Sequence, residues 1–161
     1  MPAPEGSELT GFFGKLPSHG DFVARGLGSG VRGYLDRWLS QGLALALRDG
    51  VPWPQRGVRG LLQSPAGPLA ILVLPSCDTP GRVFPLTACA MGVSDRQGVD
   101  EWADQVFPLL SQTASNGADL EDLAANLGPI TLPPSATPLD PPLLWSDERQ
   151  PGHPDSYFSA F

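Results

Sequence analysis

Charge is scarce in this sequence. Only 17% of its residues are Asp, Glu, Lys or Arg, and Lys15 is the single lysine, where globular domains carry about 25%. Cysteine is nearly missing too, with Cys77 and Cys89 alone, beside two histidines, His19 and His153. So few rule out a disulfide framework, and no CxxC or Cys/His spacing marks a zinc site. A reducing, cytoplasmic setting and no metal are therefore expected. No run approaches the ~18 apolar residues of a membrane span. The polar stretch Met1 to Thr10, with Glu5 and Glu8, has neither the basic nor the apolar region of a secretory leader. A soluble protein without a membrane span follows.

What the sequence has in plenty is glycine and proline, 19 of each, with 41% hydrophobic residues. They fall singly between apolar runs, the pattern of a folded core joined by tight turns. A length of 161 residues suits one domain, able to bury about 68–70% of its surface. We expect one domain over 1–161, with a core at 8–128, a Pro-rich connector at 129–142 and a tail at 143–161. Charge is uneven. Residues 1–99 hold nine basic and seven acidic groups, residues 100–161 one basic and ten acidic. Nucleic acid and anionic membrane both need dense positive charge, so neither is an expected partner. A solvated acidic face is the plainer reading.

Gly11 to Lys15 reads as a first strand, and Leu16 to Asp21 as a turn-rich loop. Val31, Tyr34, Leu35, Trp38, Leu39, Leu43, Ala46 and Leu47 recur at helical spacing. They predict one helix, capped by Ser29 and closed by Gly50. Val51 to Gly60 reads as irregular, with Trp53 pinning it to the body. Strands are expected at Arg59–Gln63, Leu69–Leu74 and Arg82–Met91. The unalternating Ile71-Leu72-Val73-Leu74 run suits a central strand covered on both faces, and Pro85 suggests an edge or bulge. A second helix opens at Gly98 or Asp100 and ends at Asn116-Gly117, with a kink or break at Pro108. A third runs from Asp119 to Leu127. Prolines 129, 133, 134, 138, 141 and 142 make an extended connector. The tail should dock back as a strand or stay loosely attached. Strands and helices in this order give an α+β fold, a small, mostly antiparallel sheet packed by helices.

Three segments stand out: GFFGKLPSHGDFVAR at Gly11–Arg25, YLDRWLSQGLALAL at Tyr34–Leu47 and LPSCDTPGRVFPLT at Leu74–Thr87. In order and spacing they resemble the TagF family of type VI secretion-associated proteins. That family shows a GKLPxxGDFxxR element, a W-D-x-W-L-like helix core and a PSxDxxGRxFPL element. Tyr34 stands here where the first tryptophan usually does. The resemblance covers most of residues 8–130. It implies a longin- or profilin-like α+β domain and a bacterial, cytoplasmic, posttranslational repressor of type VI secretion. The implied partner is the system's forkhead-associated domain scaffold, with no cofactor and no enzymatic activity. The motif positions Lys15, Pro17, Gly20, Asp21, Phe22, Arg25, Trp38, Pro75, Ser76, Asp78, Gly81, Arg82, Phe84 and Pro85 then become candidates for partner binding or for shaping the loops.

Enzymatic readings are weaker. Cys77 with His19 could form a nucleophile and base, but a structural thiol is the commoner role. Ser18-His19-Gly20-Asp21 offers serine, histidine and acid, yet sequence neighbours rarely meet triad geometry. Gly26-Leu27-Gly28-Ser29-Gly30 precedes a helix but matches no phosphate-binding motif. In the charged motif loops, Asp21 or Asp78 is expected to accept backbone N–H bonds or to pair with an arginine. Besides repression, two readings remain: an assembly adaptor that promotes secretion, and a Cys77 hydrolase.

Overall fold

A computed structural model describes residues 9–155. Six strands form one antiparallel sheet: β1 Gly11–Gly14, β2 Val23–Arg25, β3 Val58–Ser64, β4 Gly67–Leu74, β5 Leu86–Met91 and β6 Leu143–Trp145. Their order across the sheet is β2-β1-β5-β4-β3-β6. Four helices complete the α+β fold: α1 Val31–Gln41, α2 Leu43–Arg48, α3 Arg96–Asn116 and α4 Leu120–Leu127. No helix of the described residues is long and apolar enough to cross a membrane.

Strand periodicity sorts the core into two layers, because successive side chains point to opposite faces. Ala70, Leu72 and Leu74 of β4 join Phe12, Trp102, Val106, Leu110, Leu123 and Leu127 beneath α3 and α4. Leu69, Ile71 and Val73 join Phe13, Val31, Leu35, Leu39 and Leu43 beneath α1 and α2. Thus β4 is central and covered on both faces, as its unbroken apolar run implies. Ser64 and Gly67 pair at the hairpin that joins it to β3.

Several elements differ from the sequence reading. The expected single helix over Val31–Leu47 is two, divided at Gly42 (φ −139, ψ −87), which leaves the helical region. Glycine has the least to lose there. The cap is Gly30, left-handed at φ 81 and without a side-chain bond, and not Ser29. Residues 51–57 are irregular, but β3 already begins at Val58. The third run does not make a strand from Arg82; β5 starts at Leu86, just past Pro85. It is not an edge, since it pairs with β1 and β4. Pro85, lacking an N–H, ends the preceding loop instead. The second helix starts earlier than expected, at Arg96, because Asp95 caps it by accepting from the Gly98 amide at 2.8 Å. It continues through Pro108. That proline sits on the exposed face, where the carbonyl it frees can reach water. Strand β2 has no counterpart in the sequence reading, being three residues that show almost no alternation.

The connector is pinned rather than loose. Ser94 donates to the Pro133 carbonyl at 2.7 Å, Ser135 donates to Asp95 at 2.8 Å, and the Leu139 amide reaches the Ser94 carbonyl at 2.9 Å. Beyond it the tail docks as β6, with Arg59, Gly60 and Leu61 opposite Trp145, Leu144 and Leu143. Trp53 ties the irregular segment to the sheet through its indole N–H and the Val73 carbonyl, 3.0 Å apart.

Candidate functional site

Because β4 and β5 are neighbours and β5 pairs with β1, two Gly/Pro-rich loops meet at one end of the sheet. One, residues 15–22, joins β1 to β2; the other, 75–85, joins β4 to β5. Asp78 is their hub, with a side chain 0% exposed. Its Oδ1 accepts from the Arg82 amide at 2.7 Å, and its Oδ2 accepts from Arg82 Nε at 2.8 Å. Lys15 Nζ, on a side chain only 11% exposed, lies 3.1 Å from the same Oδ2. The backbone repeats the closure: the Asp78 amide donates to the Arg82 carbonyl at 3.1 Å, and the Gly81 amide to the Asp78 carbonyl at 2.9 Å. Gly81 meets this turn with φ 94, a conformation that glycine adopts without strain. Burial alone would raise the Asp78 pKa. The hydrogen bonds from the Arg82 amide, Lys15 and the Arg82 side chain outweigh it and hold the carboxyl below its ordinary value.

Further bonds sew one loop to the other. Arg82 donates to the Gly20 carbonyl at 3.1 Å, Ser76 Oγ to the Lys15 carbonyl at 2.7 Å, and the Thr79 amide to the His19 carbonyl at 2.9 Å. Phe22 stacks on Phe13 at 5.6 Å and meets Phe84 edge-on at 4.9 Å, while Lys15 Nζ stands 4.9 Å from the Phe22 centroid. One clasp therefore unites Lys15, Gly20, Phe22, Ser76, Asp78, Gly81, Arg82 and Phe84. The Arg82 side chain is 66% exposed, and Val83 beside it also faces solvent.

The other motif residues lie around this clasp or away from it. Asp21 is exposed and accepts only from the neighbouring Phe22 amide, at 2.7 Å, among the described residues. Pro17 is half-buried in the first loop, and Pro85 is buried at the end of the second. Arg25 points elsewhere, pairing with Glu121 of α4 at 2.8 Å. Trp38 packs against the core under α1. Pro75 is exposed and lines a cleft of about 270 Å3 with Trp53 and Phe107.

Triad-like chemistry is not assembled from residues 18–21. Ser18 Oγ lies 2.9 Å from His19 Nδ1, but the Asp21 carboxylate receives its own neighbour's amide. Ser18 Oγ instead bridges to the junction of α3 and α4, accepting from the Ala118 amide at 3.1 Å. Gly117 makes this approach possible. It has φ 77, and a Cβ there would stand 2.5 Å from that of Ser18. Gly117→Ala is therefore expected to lower stability by about 2–3 kcal/mol through strain and overlap, read as a shifted urea midpoint. Cys77 is half-buried and forms an isolated bridge with Val83. Burial pushes the Cys89 thiol up to about 12, which leaves it protonated and unreactive at neutral pH.

A second charged cluster went unread in the sequence. Arg59 of β3, its side chain 5% exposed, reaches Asp100 at 3.1 Å and Asp104 at 2.8 Å. Arg56 also pairs with Asp104 at 2.9 Å, and the Trp145 indole donates to Asp100 at 2.9 Å. Burial would raise the Asp104 pKa, but the bonds from Arg56 and Arg59 lower it. The signal was present: an arginine inside an apolar strand run, facing two aspartates one helical turn apart. This cluster and the Arg25–Glu121 pair set arginines of the N-terminal half against the acidic excess of the C-terminal half.

Similarity to known proteins agrees with this architecture. A search of curated proteins gives no match. The structure is similar to the crystal structure of PA0076 from Pseudomonas aeruginosa PAO1, with a TM-score of 0.60 and 28% sequence identity, over 86% of this chain and 70% of that one. The family model for the TagF N-terminal domain, type VI secretion system-associated, matches residues 11–130, which span both loops of the clasp. The chain belongs to the TagF N-terminal-domain family of type VI secretion system-associated proteins.

Proposed function

We propose that this protein restrains type VI secretion after translation, acting in the bacterial cytoplasm by binding the system's forkhead-associated domain scaffold. Family membership over residues 11–130 carries this reading. The clasp supports it, because a loop pair held rigid by buried charges offers a partner one fixed surface, with little ordering entropy left to lose on binding. Arg82, Val83, Pro80 and Thr79 are its exposed elements. The action is binding without catalysis or cofactor, and the 161 residues work as one domain.

Deletion of the gene is expected to raise the system's tube protein in culture supernatant, at an unchanged cytoplasmic level, and restoration is expected to reverse this. Purified protein should retain the scaffold in a pull-down, and Val83→Asp should weaken retention about tenfold without lowering Tm. A fall in secretion on deletion would replace repression with assembly support. Full cellular activity of Cys77→Ser would exclude the hydrolase reading.

A further inference from the structure

We propose that the outer edge of β2, with the cleft beside it, is a docking surface for an extended, acidic segment of a partner protein, which adds to the sheet as a further strand. The two ends of the sheet are finished differently. At β6 the chain folds back, and Leu144 and Gly152 exchange backbone hydrogen bonds at 2.9 and 3.0 Å. At β2 no strand of the described residues lies beyond Val23–Arg25. An edge of this kind holds unpaired backbone groups, the template for strand addition. The Ala24 carbonyl there accepts from the Arg25 guanidinium at 2.8 Å, a side-chain contact that an arriving amide can displace.

Beside this edge lies a cleft of about 340 Å3, lined by Ala24, Arg25, Gly26, Leu27, Gly28 and Arg32. Its charge selects the occupant. Arg25 is already matched by Glu121. Arg32 is exposed, rests its guanidinium 5.8 Å from the Phe13 ring, and has no carboxylate partner among the described residues. An extended segment seated on β2 therefore meets an unmatched cation, held in place by an aromatic face, that favours a carboxylate. Leu27, half-buried, supplies an apolar floor. The wall is low at Gly28, where a Cβ would meet nothing within 4 Å. Neither packing nor a left-handed backbone demands glycine there, yet its absence of a side chain keeps the cleft open to another backbone. This surface does not depend on the scaffold reading above.

The test uses the full chain and a capped heptapeptide of alternating glutamate and valine. Chemical-shift titration of the 15N-labelled protein should perturb Val23–Gly28 and Arg32. Methylating alternate peptide nitrogens, so as to remove the bonding N–H groups, should weaken binding at least about tenfold, as should exchanging glutamate for lysine. Arg32→Glu and Gly28→Glu should each weaken it by a similar factor. Gly28→Glu should leave Tm unchanged, since a Cβ there meets nothing within 4 Å. Arg32→Glu, which gives up only the guanidinium's contact with the Phe13 ring, should lower it by no more than about 2–4 °C. The proposal is overturned if the peptide fails to bind at millimolar concentration or if shifts map elsewhere. It is also overturned if the methylated peptide binds equally well, or if inorganic phosphate alone reproduces the shifts, which would make the cleft a simple anion site.

Discussion

Asp78→Ala is expected to lower Tm by about 10 °C and to abolish scaffold retention with it. The substitution removes the acceptor for the Arg82 amide, Arg82 Nε and Lys15 Nζ together. Lys15 is then left nearly buried without its counter-charge, and this orphaning, more than the lost attraction, makes the change severe. Asp21→Ala provides the contrast. Its carboxylate is exposed and serves one neighbouring amide, so Tm should stay close to wild type. Equal effects of the two substitutions would contradict the hub role of Asp78. Acidity gives an independent check. The folded Asp78 carboxyl titrates below its ordinary value. Its contribution is thus complete above the unfolded pKa, about 3.9, and is lost as pH falls through the folded value. Tm measured from about pH 7 down to about pH 3 should fall less steeply in Asp78→Asn than in wild type, because the variant has no such contribution to lose.

Trp145→Ala is expected to destabilise the whole domain by about 4 kcal/mol, and not merely to loosen the last residues. Its side chain is 0% exposed within the core under α3 and α4, and its indole N–H donates to Asp100, which also holds Arg59. Removing the ring opens a cavity and leaves that aspartate one donor short. Urea unfolding should remain a single transition with a lower midpoint. A separate early transition confined to the tail would show instead that β6 is an appendage and that the domain ends before it.

How much was legible in advance differs by element, for a physical reason. Local periodicity carried the helix faces of Leu35, Leu39, Val106 and Leu110 and the double burial of β4, because side-chain spacing alone decides which faces are apolar. Turn chemistry carried the hairpin at residues 64–67, where Pro65 and Gly67 separate two apolar runs. Motif resemblance marked Lys15, Asp78 and Arg82, but said nothing of which one sits at the centre. Short elements without a period, β2 above all, left no signal. The split at Gly42 turns on a backbone conformation outside the helical region, and the unbroken passage of α3 through Pro108 on that residue's place on the exposed face, neither of which local periodicity reports.

The sequence by itself determined the two-faced sheet, the helical layers, the family and the two loops that matter, since all rest on residues close in the chain. Only the tertiary structure decided that the loops close on one buried carboxylate. It alone brought Trp145 and Arg59 to share Asp100, and left β2 as the open edge of the sheet. Those contacts join residues separated by 41 to 63 positions, and the pairing of such distant groups follows from strand order, which no local pattern encodes.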